Sequence, residues 1–355
     1  MSVYEVGRGL LGGITQIRHF RHIFHIFRFI RTKNLIVRKH TTVVCEAPCK
    51  SPCLISLGRD GDHLTKAFLE HYKNLGFKSF IFLDNNSKEE CVSHLIDEAS
   101  ALDCDISIYR CNLSYKHFKH SMKNFLVALI PVGTWTFCAD SDEFLVLPNG
   151  LRDVTQVIDY LEEKEFDTVQ YHLLDMFSDK PLHTLTDETE WSLSDLEHHY
   201  PYFDISTLRS VQIKESACLK HRGGVRLKHF GVIPLLTKST FFKKTCETNL
   251  RSSHSFLASF TSRPRKVADF TLFAQHFKFN SRYADGLEQA VREKSYYNNS
   301  SECRPLFDRF SVDASYTLNT ETSLKYQDCE QLLALNFITF SEDFQNHLQT
   351  TRKVL

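Results

Sequence analysis

No sign of charge predominates in this chain: 43 lysines and arginines face 43 aspartates and glutamates over 355 residues. Without a whole-molecule field, nothing favours nucleic acid as a partner. The eleven cysteines form an odd set without framework-like spacing, and a chain of this length is no small secreted domain. Reduced cytosolic thiols are the simpler reading, with a cytoplasmic location. Cys45, Cys49 and Cys53 recur every four residues, yet no C-x-x-C pair and no neighbouring ligand histidines support zinc. Internal repeats, low-complexity segments and long linkers are absent too. What is there is a chain 42% hydrophobic, enough to bury a substantial core as one large domain with appendages or as two domains.

The neutral total hides an uneven distribution. Residues 1–44 carry Arg8, Arg18, Arg21, Arg28, Arg31, Lys33, Arg38 and Lys39 against Glu5 alone, a net +7, which leaves −7 for the remainder. Within them, residues 14–31 set Ile17, Phe20, Phe24, Phe27 and Ile30 at helical spacing, with Arg18, Arg21, His22 and His25 largely opposite. Arginines and histidines interrupt every possible apolar core there, so neither a signal peptide nor a spanning helix is predicted. A basic amphipathic helix fits two places: the anionic inner face of a membrane, or a docking surface on the protein's own body or a second subunit.

From Cys53 onward strand and helix patterns alternate. Strands are predicted at Cys53–Leu57, Ser79–Leu83, Asp105–Tyr109, Trp135–Cys138 and Thr168–Leu174. Helices are predicted at His63–Leu75, Lys88–Ala99, Tyr115–Ile130 and Leu151–Lys164. Such alternation predicts an α/β fold, a mainly parallel sheet with helices on both faces, and in such sheets ligands gather beyond the carboxyl ends of the strands. Three polar loops fall there: Gly58 to Asp62, Asp84-Asn85-Asn86-Ser87, and Asp140-Ser141-Asp142. Taken singly, the second of these reads as a turn with Ser87 as a helix N-cap.

The third loop is the one that demands an explanation. Trp135 to Pro148, WTFCADSDEFLVLP, puts Asp140, Asp142 and Glu143 between two apolar runs. Carboxylates that close to a buried strand are costly unless a cation or hydrogen bonds offset them. Two hard oxygen ligands at a strand's end suit Mg²⁺ or Mn²⁺ that also holds substrate phosphates. The plainer reading is an acidic turn in which Asp140 caps the next element. Beyond Leu174 the alternation weakens: residues 175–225 are predicted loop-rich, and Gly223-Gly224 marks a sharp turn. Strands resume near Ser239–Lys243 and Thr271–Phe279, where His276 sits among aromatics as core histidines commonly do. A polar helical tail from Arg282, with Asn298-Asn299-Ser300 as a loop, ends in a last short helix at Cys329–Leu335.

Several stretches together resemble the glycosyltransferase family 2-like proteins of bacterial surface-polysaccharide systems. They are FLEHYKNLGFKSFIFLDNNS (68–87), WTFCADSDEFLVLP (135–148), LLDMFSDKPL (173–182), YFD (202–204), GGVR (223–226), SSH (252–254) and HFKF (276–279). The resemblance covers about Leu54 to Asn336. It implies a Rossmann-like sheet of the GT-A type over residues 45–280, with 175–270 on the acceptor side and 281–355 as a helical extension. It further implies a hexosyltransferase-like enzyme that moves a sugar from a nucleotide-diphosphate donor to a glycan, lipid-linked or protein acceptor. By resemblance Asp140, Asp142 and His276 hold Mn²⁺ or Mg²⁺, which reverses the core reading of His276. Asp60, Asp62, Asp84, Asn85, Asn86, Ser141 and Arg226 then become the expected donor-binding residues. Inverting transfer also needs a carboxylate to take the acceptor's proton, and Asp175, Asp179, Asp204 and Glu143 are the candidates. One departure stands out: relatives usually read Asn-Glu in the first loop, where this chain has Arg59-Asp60-Gly61-Asp62. A nucleotidyltransferase on a similar sheet is the main competing reading, but its Gly-rich or lysine-bearing phosphate loop is lacking. A non-catalytic module working through its N-terminus is the other.

Overall fold

Apolar runs that bury both faces and alternate with amphipathic helices can only be satisfied in a covered sheet. That is the architecture found in the structure, a computed structural model that describes residues 32–185, 191–212, 219–252, 254–256, 265–293, 303–313 and 315–354. The amphipathic segment 14–31 and the loop at 298–300 lie outside the described residues. Among the described residues no helix is long and apolar enough to cross a membrane.

One sheet of nine strands organises the chain. In sequence order its strands are β1 (Thr41–Cys45), β2 (Cys53–Gly58), β3 (Ser79–Asp84), β4 (Ile106–Cys111), β5 (Trp135–Cys138), β6 (Glu143–Val146), β7 (Thr168–Asp175), β8 (Thr237–Lys243) and β9 (Val267–His276). Their spatial order is β1-β4-β3-β2-β5-β8-β7-β9-β6. Strands β4, β3, β2 and β5 are mutually parallel, as are β7 and β9. Strands β1, β8 and β6 pair antiparallel with their neighbours. The helices between them are α1 (32–39), α2 (Asp62–Asn74), α3 (Glu89–Ala101), α4 (Tyr115–Leu129) and α5 (Val154–Glu163). The Rossmann-like, mainly parallel sheet flanked by helices is thus as the sequence predicts.

Strand residues alternate between two cores, as a pleat requires. Leu54, Phe80, Phe82, Trp135 and Phe137 face a large cluster completed by Phe68 and Tyr72 of α2 and by Val157, Tyr160 and Leu161 of α5. Ile55, Ile81, Leu83 and Cys138 face the other side, where Met122, Leu126 and Val127 of α4 and Val37 of α1 cover them. Helix α5 starts on a capping box between Asp153 and Gln156, which satisfies two otherwise orphaned amides. Asp153 also explains Gly76 after α2: at φ +90° a side chain there would collide with the Asp153 carboxylate.

Three features differ from expectation. Strand β1 lies partly within the basic segment 1–44, pairing with β4 as an antiparallel edge, so the sheet begins before residue 45. Lys88, not Ser87, is the N-cap of α3, and no side chain closes the cap. The chain does not end its helices near Leu335, because Glu342–Val354 forms another. Its Phe344 is fully buried and stacks on Phe270 of β9, ring centroids 3.7 Å apart.

Candidate functional site

The carboxyl ends of β2, β3 and β5 bring their three loops together. The Asp60 amide donates to Ser87 Oγ at 2.8 Å, the Lys88 amide donates to Asp60 Oδ1 at 3.1 Å, and a Cβ on Gly61 would sit 3.4 Å from Ser141 Oγ. Between them opens a half-open cleft, walled by Phe68, Phe82 and Val92 and rimmed by Gly58, Asp60 and Ser141.

Of the expected donor-binding residues, Asp60, Asp84 and Ser141 line this space, and Asp60 and Asp84 are at the same time tied into their own loops. Asp84 is buried and held by Arg110 Nε at 2.7 Å and the Ser87 amide at 3.0 Å. Asn85 spends its amide on the carbonyls of Cys111 and Leu113. Both shape the loop. Asn86 is exposed in the left-handed region at φ 66°, a conformation asparagine tolerates. Asp62 opens α2. Arg226, expected at a phosphate, is 8% exposed and forks onto Asp175, Nε to Oδ2 at 2.7 Å and Nη2 to Oδ1 at 3.2 Å.

Beside these loops the sheet itself carries the acids. Register aligns His276 with Glu143 on β6 and with Asp175 on β7. His276 Nδ1 lies 2.6 Å from Asp175 Oδ1, and its Nε2 lies 3.3 Å from Asp142 Oδ2. Burial alone would lower the imidazolium's pKa, but Asp142 and Asp175 on its two sides raise it to about 9. Burial pushes Asp142 up in turn, and His276 and Lys278 bring it down to about 2. The histidine is thus a buried residue partnered by two carboxylates, Asp142 and Asp175.

Asp140, expected as a metal ligand, is placed otherwise. Lys123 Nζ donates to its Oδ1 at 2.8 Å and Lys238 Nζ to its Oδ2 at 3.2 Å. Burial would raise this carboxyl, yet the two ammonium groups and Lys119 hold it well below the usual range. Lys238 also pairs with Glu143, whose pKa burial raises in spite of that partner. Neither lysine was singled out by sequence reasoning. The available signal was a charge at an inward position, Lys238 within LLTKSTFF and Lys123 beside Met122 on an apolar helix face.

A metal remains compatible with what is left. One oxygen each of Asp142 and Glu143 and one nitrogen of His276 lie within 4.8 Å of one another. Carboxylates suit Mn²⁺, and imidazole binds it less well than it binds Zn²⁺ or Cu²⁺ but still binds it. Asp142, 27% exposed at its side chain, and His276 are the donors that carry no lysine, and His276 must shed its proton to ligate.

Of the candidates for a catalytic base, Asp175 is consumed by Arg226 and His276. Asp204 accepts from Lys228 Nζ, Thr322 Oγ1, Ser206 Oγ and the Ser206 amide. Glu143 is enclosed with Lys238. Asp179, in the loop after β7, is exposed, and no side-chain hydrogen bond or ion pair engages its carboxylate among the described residues.

No protein-family model and no curated protein matches the chain. Among solved structures, it is similar to S. aureus TarS, at 11% identity over 38% of this chain and 27% of that one, with a TM-score of 0.28. It is also similar to the mannosyltransferase PcManGT from Pyrobaculum calidifontis in complex with GDP-Man and Mn²⁺, at 13% identity over 42% of this chain and 44% of that one, TM-score 0.28. A third is a putative glucose-1-phosphate thymidylyltransferase from Bacillus anthracis, at 9% identity over 38% of this chain and 58% of that one, TM-score 0.27. This chain thus spans well under two thirds of each, and likeness at this level says nothing about chemistry.

Proposed function

We propose that the chain is a metal-dependent, inverting glycosyltransferase that moves a sugar from a nucleoside-diphosphate donor to a hydroxyl acceptor. The observation that carries this reading is the placement of Asp142 and His276, 3.3 Å apart, at strand ends whose neighbouring loops enclose the Gly58–Asp60–Ser141 cavity. The nucleoside occupies that cavity, with its diphosphate toward Asp142. Asp142 and His276 would hold a divalent ion there, which would supply charge neutralisation to the departing diphosphate. Asp175, locked by Arg226, orients the His276 ring through Nδ1 and so fixes where Nε2 points. On the acceptor side, Asp179 is the carboxylate left to accept the proton of the attacking hydroxyl.

Calorimetry of UDP and GDP in Mn²⁺ tests the reading. One of the two should bind the unsubstituted chain, and Asp142→Asn should weaken that binding at least about tenfold in a chain that circular dichroism shows still folded. Unchanged diphosphate affinity in Asp142→Asn would remove Asp142 from the site and the reading with it.

A further inference from the structure

Spacing alone makes Asp140 and Asp142 equal partners, but their surroundings do not. Both oxygens of Asp140 are committed, one to Lys123 at 2.8 Å and one to Lys238 at 3.2 Å. Lys238 reaches on to Glu143 Oε1. The side chains of Lys123, Lys238 and Glu143 are 1%, 2% and 2% exposed. An ammonium has donors only, and in so dry a place it needs these carboxylates as much as they need it. The two lysines come from opposite sides of the loop, Lys123 from α4 and Lys238 from β8, so Asp140 is gripped from both. A dication approaching Asp140 or Glu143 meets a fixed positive charge within hydrogen-bonding distance of the oxygen it seeks, and that repulsion is strongest at Glu143, which is 2% exposed, and weaker at Asp140, which is 30% exposed. Asp142 is paired instead with His276, whose Nε2 lies 3.3 Å from its Oδ2, and no lysine holds it.

We infer that Lys238 is a positioning residue for the metal: it keeps Glu143 and Asp140 out of the coordination sphere and confines a divalent ion to Asp142 and His276. Coordination positions then stay open for diphosphate oxygens, so metal alone binds poorly and metal with nucleotide binds well. The inference rests on the metal–diphosphate reading of this site and adds to it the rule that decides which acids serve.

The test titrates Mn²⁺, followed by the electron paramagnetic resonance of the free ion, with and without UDP or GDP. Lys238→Met should take up Mn²⁺ in the absence of nucleotide about tenfold or more tighter than the unsubstituted chain, because the Glu143 carboxylate and one oxygen of Asp140 become available while Lys123 keeps the other. A purely structural lysine would lower stability and leave this affinity unmoved or weaker. Glu143→Gln, nearly isosteric, should keep Mn²⁺ affinity in the presence of diphosphate, and Asp142→Asn should lose it. A folded Lys238→Met with no gain overturns the inference, as does Glu143→Gln falling as far as Asp142→Asn. If Lys238→Met does not fold, the Glu143→Gln comparison decides. An unsubstituted chain that takes up no Mn²⁺ with either diphosphate would sink the functional reading by itself. A Lys238→Met gain in metal alone would then still show the lysine guarding its two acids.

Discussion

Arg226→Met separates a buried ion pair that props the site from one that merely sits near it. The Arg226 side chain is 9% exposed and that of Asp175 4%, and two charge-assisted bonds join them in the forked geometry that arginine favours. Burial would raise the Asp175 carboxyl, yet Arg226 and His276 hold it far below the carboxylate range. Methionine fills similar volume but leaves that carboxylate with His276 alone. Removing one partner of a buried pair costs ~3–5 kcal/mol. At about 2.1 cal/mol/K per residue, 355 residues give an unfolding entropy of ~0.75 kcal/mol/K, so the midpoint should fall by about 4–7 °C. Fluorescence of Trp135 and Trp191, both buried, reports the transition in heat or urea. Adding Asp175→Asn to the same chain removes the stranded charge and should recover part of the loss, giving a clear interaction term in the double-mutant cycle. A drop under about 1 °C, or strictly additive effects of the two substitutions, would refute the reasoning.

Two further outcomes follow from groups away from the acids. His172 and His221 are each 1% exposed, with ring centroids 4.2 Å apart, and burial lowers both, His221 adding to the effect on His172. Folded, they stay neutral, whereas unfolded they take protons near pH 6.5. The unfolded state therefore binds more protons, so stability is complete above that pH and falls as pH drops through it. Melting temperature should decline below pH 6.5, less steeply in His172→Gln, and a melting temperature that rises on acidification would contradict this. Phe344→Ala empties a position packed on Phe270 and Tyr160 and should cost ~3–5 kcal/mol in urea unfolding. A loss below about 1 kcal/mol would mean that the final helix is not part of the core.

Much of the sheet was legible because parallel strands are covered on both faces and so read as unbroken apolar runs. Ser79–Leu83 and Thr168–Leu174 appear almost at their expected bounds. Edge and inserted strands gave no such signal. Strand β1 is largely exposed, Val43 at 58%, and follows a basic stretch. Strand β8 was foreseen as a strand, but its slot between β5 and β7 depends on pairings far apart in sequence. The same holds for the acids. That Asp140 meets lysines 17 and 98 residues away is a product of the fold, invisible to any local window. Asp142 was legible for a complementary reason: its charge is one that apolar neighbours make expensive to leave unpartnered, whereas His276 read from its own neighbours as a core histidine and was joined to the aspartates only by the family resemblance.

Glu143, His276 and Asp175 form one rung across three neighbouring strands, and this determines where the gene can change length. Because side chains alternate faces, a single inserted or deleted codon inside β9 would put Gln275 or Phe277 in the rung and turn the imidazole to the opposite face. No nearby substitution restores the arrangement. The described residues between Met176 and Gly224 belong to no rung of the nine-stranded sheet, so codons gained or lost among them leave the rung's register untouched. Indels selected for retained Mn²⁺ uptake should therefore be found between residues 176 and 224 more often than in β6, β7 and β9.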